Sequence, residues 1–69
     1  MQKRFAEIPI RSFFTAPGEN DLTLLFFKDV EEKACLVSYF RAHEESVLFD
    51  RPKEFPPDKM VTPLAIHVA

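Results

Sequence analysis

A chain of 69 residues with one cysteine, one glycine, two histidines and no tryptophan has few of the usual means of stapling a small fold or building a reactive site. The lone Cys35 excludes an internal disulfide. A single glycine, Gly18, leaves nothing from which a glycine-rich phosphate cradle is made. His43 and His67 stand 24 residues apart, and with Cys35 and scattered carboxylates they show no zinc-ligand spacing, so no metal or other cofactor is expected. No apolar run approaches the ~20 residues of a membrane span. The opening Met1-Gln2-Lys3-Arg4-Phe5 lacks the apolar segment of a secretory signal, so a cytoplasmic protein without a membrane partner is expected. Positive charge is not in excess either: nine Lys and Arg against eleven Asp and Glu give a net charge of −2, and no global field draws in nucleic acid.

What the chain does have is phenylalanine, eight of them, each covering ~150–250 Å² when buried. At this length one core rarely supplies more than ~3–5 kcal/mol, so dense aromatic packing or association has to make up the difference. The sequence is organised around residues 22–40, where the apolar runs 22–27 and 34–40 flank the charged segment Lys28-Asp29-Val30-Glu31-Glu32-Lys33. Two short apolar runs around a polar turn predict the central hairpin of a sheet. In the first run Leu22, Leu24 and Phe26 alternate with Thr23, Leu25 and Phe27, so both faces carry large apolar groups, unlike a half-solvated strand. The second run admits a helix at about residues 30–44, because Asp29 and Glu32 imitate a capping box and Val30, Ala34, Val37 and Phe40 recur at helical spacing. The β-branched and aromatic residues of 35–40 favour a strand over 34–42 instead.

Further strands are predicted at 10–15, at 47–49 and from Met60 onward, the last at an edge because Pro63 has no amide to donate. Pro17-Gly18 predicts a type II turn. Three prolines in 52–58 predict an ordered but irregular crossover. The fold expected is mainly β: one small domain over 1–69, a five-stranded SH3-like partly open barrel, with an α+β arrangement carrying the 30–44 helix as the alternative.

Phe5, Ile8-Pro9-Ile10 and Phe13, then Lys28 and Ala34, and finally Val47, Phe49, Pro57, Val61, Pro63 and Leu64 form a pattern that resembles a group of short uncharacterised proteins of phages and mobile elements. The resemblance implies a small β-rich domain with an accessory or host-modulating role, and it transfers no catalytic residue. Where that pattern has glycine after the opening apolar residues this chain has Arg11, a departure that counts against a tight turn there.

No nucleophile, base and stabiliser can be assembled from these residues, so an enzyme is not expected. Cys35 within an apolar run reads as a small buried hydrophobe. The carboxylate pairs Glu31-Glu32 and Glu44-Glu45 fall in predicted turns and read as solvated charge. Because a single small sheet has one interior while strands two and three and Phe13-Phe14 place large apolar groups on both sides, part of that surface is expected to be covered by another chain. The expected function is therefore a protein-interaction module, binding a protein partner or forming a homodimer, with Phe14, Phe27, Tyr39 and Phe55 as contacts. The alternative is a small nucleic-acid-binding barrel, but acids such as Glu7, Asp29, Glu31, Glu54 and Asp58 match its basic residues.

Overall fold

The computed structural model of the chain describes residues 1–18, 20, 22–40 and 46–67. Among the described residues seven strands form one antiparallel sheet: β1 (Lys3–Arg4), β2 (Ser12–Pro17), β3 (Thr23–Val30), β4 (Lys33–Phe40), β5 (Ser46–Phe49), β6 (Lys53–Glu54) and β7 (Met60–His67). A 3₁₀ turn, Phe5–Glu7, links β1 to the segment before β2. The five longer strands are those predicted, so the domain is mainly β. The helical alternative is replaced by the end of β3 at Val30, a turn at 31–32 and strand over Lys33–Phe40, and its last part, 41–44, lies outside the described residues. Pairing decides it: β4 bonds β3 along one edge and β5 and β6 along the other, which a helix would forfeit. The Asp29 and Glu32 that imitate a capping box instead flank a tight hairpin, with Val30 opposite Lys33, Glu31-Glu32 as the turn and a register shift at Asp29. Neither turn residue has a positive φ, so the bulge supplies the twist that a mirror-image turn would otherwise give.

The strand order is β1-β7-β2-β3-β4-β5, and among the described residues no pairing closes the path. β5 and β6 act as one interrupted edge strand along β4. Val37 pairs Phe49 and Ala34 pairs Lys53, and between them the Asp50 N–H donates to the Leu36 carbonyl at 2.9 Å. The interruption falls at Pro52, which has no donor for the ladder. The prediction that the last strand lies at an edge is corrected in part. β7 is flanked by β1 at Met60 and Val61 and by β2 from Thr62 on, so among the described residues Pro63 is paired by β2 alone. Among the described residues no helix is long and apolar enough to cross a membrane.

Period-2 alternation sends Phe14, Ala16, Phe26, Lys28 and Ala34 to one face and Phe13, Leu25, Phe27, Cys35 and Val37 to the other. The first face is roofed by Phe5, Ile8 and Phe55, and with Val61 it forms the main core. The second face makes a smaller cluster of Phe27, Cys35 and Val37 with Phe13 and Leu25 against it. Two apolar faces thus resolve into a thick core and a thin one.

Two turns differ from expectation. The type II turn at Pro17-Gly18 is not formed, because Gly18 has no positive φ, and Asn20 takes the left-handed conformation instead (φ 57°). A Cβ at Gly18 would lie 2.6 Å from Leu24 Cδ1, so a larger residue there would have to push that side chain aside, and the Gly18 N–H donates to the Leu22 carbonyl. Conversely, the tight turn that Arg11 counts against is present, with Arg11 itself at φ 69°. Its N–H donates to the Lys28 carbonyl at 2.8 Å, and the first long strand therefore starts at Ser12 rather than residue 10. A non-glycine residue held in this region costs ~1–2 kcal/mol. Arg11→Gly is thus expected to be more stable than Arg11→Ala by about 1 kcal/mol in urea unfolding, since both remove the guanidinium and only glycine removes the strain. Equal stabilities for the two variants would remove strain from the account.

Candidate interaction surface

Of the four residues expected to touch a partner, Phe14 is 0% exposed. It lies nearly parallel to Phe26 (12°, centroids 5.4 Å) and edge-on to Phe55 (5.3 Å), with Phe5 also at 5.3 Å. A ring with no accessible surface has nothing to offer a partner of the folded chain. Phe27 is buried as well, at 5.1 Å from both Phe13 and Phe49. Phe55 is half-buried, 4.6 Å from Phe5. Tyr39 pairs with Val47 in the sheet, and its side chain lies outside the described part of the structure. The four are therefore not brought together on one surface.

The structure presents Phe49 in their place. It closes the Phe13-Phe27 pair from the end of β5, and 49% of it remains exposed. Beside it a hollow of about 270 Å³ is bounded by Arg11, Phe27, Asp29, Cys35 and Phe49. The Arg11 guanidinium stands over the Phe27 ring, 5.9 Å from its centroid. Cys35 faces this hollow as a poor nucleophile. Burial pushes its thiol up, and Asp29 and Asp50 add to the effect by opposing a second negative charge. Sequence reasoning missed Phe49 because β5 has only four residues, and alternation over so short a strand does not say which neighbour covers it.

On the other face of the sheet a second groove, of about 340 Å³, runs over Phe55 between the 3₁₀ turn, the Glu31-Glu32 hairpin turn and β6. Ala6, Phe55 and Pro57 form its apolar part, and Glu31, Glu32 and Glu54 line its lip. Glu54 is brought there by pairing with Lys33, and the Phe55 N–H donates to the Glu32 carbonyl at 3.0 Å. Acids that are 22 residues apart in sequence meet only through this long-range pairing, so no local pattern announces them. Among the described residues no group of three His, Cys, Asp or Glu converges closely enough to hold a metal ion.

Behind the same wall lies Lys28, the least expected interior residue. Its side chain is 0% exposed, and its Nζ donates to the Phe5 carbonyl at 3.0 Å, stands 4.4 Å from the Phe5 ring centroid and lies 3.8 Å from the Glu31 carboxylate. Alternation does place Lys28 on the face of Phe26, but charge at the end of a predicted strand reads as solvated. Nearby Glu7 accepts the Arg4 N–H at 3.1 Å, and this hydrogen bond is the main reason its carboxyl lies below the usual range. No family model, curated protein or solved structure matches the chain.

Proposed function

We propose that this chain is a non-enzymatic protein-interaction module that docks a partner, or a second copy of itself, through the Phe13-Phe27-Phe49 face and the adjoining outer edge of β5. The observation that carries this reading is Phe49, a ring half in water and seated on two ordered rings beside an edge strand that pairs only with β4 among the described residues. Exposed aromatic anchors and open strand edges are the two features that protein interfaces and strand addition use most directly. The placement of the last strand beside the first long one supports an SH3-like, partly open barrel as the architecture. The resemblance of its opening and closing segments to small phage and mobile-element proteins supports an accessory or host-modulating role. Asp29, Glu31, Glu32 and Glu54 lie beside the rings of the two grooves, which supports a protein ligand over a nucleic acid.

Phe49→Ser tests this reading. The variant is expected to lose about 1–2 kcal/mol of packing but to keep its far-UV circular dichroism, because half of the ring is already solvated. Light scattering of the wild type should show dimer mass that falls to monomer in the variant, or else a partner captured from lysate by the wild type should be lost. A monomer that captures the same proteins with and without the Phe49 ring would defeat the proposal. Recovery that disappears on nuclease treatment would favour the nucleic-acid alternative.

A further inference from the structure

We infer that the groove over Phe55 is a recognition site for a lysine or arginine side chain of a basic peptide segment. The site lies on the opposite face of the sheet from Phe49 and does not depend on the docking role assigned to that residue. Three observations carry the inference. The first is charge complementarity: Glu31, Glu32 and Glu54 share the lip of one groove, and Glu32 and Glu54 have no ion-pair partner among the described residues, whereas Glu31 already faces Lys28. The second is the apolar part. Phe55, Ala6 and Pro57 offer a ring and short aliphatic groups, which suit the methylene stem of a long cationic side chain with its head at the carboxylates.

The third is rigidity. Phe55 is held by Phe5, Phe14 and Phe26 from below and by its N–H on the Glu32 carbonyl, and the Ala6 N–H donates to the Pro57 carbonyl at 3.0 Å. A groove fixed in this way loses little freedom when it is filled. The volume of about 340 Å³ lies at the lower end of the range for ligand sites, enough for one extended side chain and the backbone that carries it. A divalent cation is not the occupant this geometry suits, because the carboxylates do not converge on one point. Inside the wall the chain already uses the same chemistry, with the Lys28 ammonium between the Phe5 ring and the Glu31 carboxylate.

The test is a two-dimensional amide NMR titration of the full chain with the end-capped peptide Gly-Arg-Lys-Arg-Gly, beside a control peptide in which each basic residue is glutamine. Shifts confined to the amides of Ala6, Glu32, Glu54 and Phe55, weakened as salt rises from about 50 to about 300 mM, are expected for the basic peptide alone. A Glu32→Gln/Glu54→Gln double variant should bind roughly fivefold to tenfold more weakly, since each exposed pair contributes modestly. Both residues are exposed, and the dispersion of the same spectra reports whether the variant is folded. Phe49→Ser should leave the titration unchanged, which separates this site from the apolar face. Shifts spread equally over Glu7 and Asp58, equal binding of the glutamine peptide, or unchanged affinity in the double variant would each overturn the assignment.

Discussion

Phe14→Ala is expected to abolish cooperative folding at 25 °C. The ring is fully buried and in contact with Phe5, Phe26 and Phe55, so its removal opens a cavity at the point where the roof of the main core meets the sheet. Truncating a buried phenylalanine costs ~3–5 kcal/mol, the transfer of the lost atoms plus the cavity left behind. A domain of this size has a total stability of about the same magnitude. The loss therefore consumes the whole margin rather than a fraction of it. Phe13→Ala is the comparison: Phe13 is only half-buried and belongs to the thinner cluster, so that variant should keep a cooperative urea transition with a lower midpoint. A Phe14→Ala protein that still melts cooperatively, within about 1 kcal/mol of wild type, would show that the four-ring cluster does not carry the fold.

The second large effect is a contrast at Lys28. Lys28→Ala should cost about 2–4 kcal/mol, because the long stem fills space under Phe5 that alanine leaves empty. Lys28→Met should be close to neutral or stabilising, although it removes the same charge. Taking an ammonium out of water costs several kcal/mol, and the compensation here is one hydrogen bond to the Phe5 carbonyl, a ring face and a carboxylate 3.8 Å away whose own side chain is largely exposed. Methionine keeps the volume without that cost. The Phe5 carbonyl is not orphaned by the change, since it also accepts the Ile8 N–H at 3.0 Å. Urea denaturation of the two variants decides the matter. If methionine is as damaging as alanine, the ammonium contacts themselves hold the 3₁₀ turn onto the sheet.

The sequence by itself determined the class of the fold and the approximate course of its five long strands, because both rest on a local signal. Two short apolar runs around the charged turn, with β-branched and aromatic residues in the second, read as a pair of strands, and large residues in both phases of the first say that neither of its faces is plainly solvated. Only the tertiary structure decided which of those residues does what. Phe14 on β2 and Phe49 on β5 are the same side chain in the same sheet, yet one is enclosed by three rings and the other closes a shallow cluster from its rim. Lys28 reads as the polar end of a strand until the Phe5–Glu7 turn folds over it. Arg11 takes a glycine's conformation because the main-chain hydrogen bond to Lys28 fixes the turn. The groove over Phe55 exists because β6 pairs with β4. Burial, strain and concavity are properties of what the rest of the chain brings to a residue, and a local pattern contains none of that information.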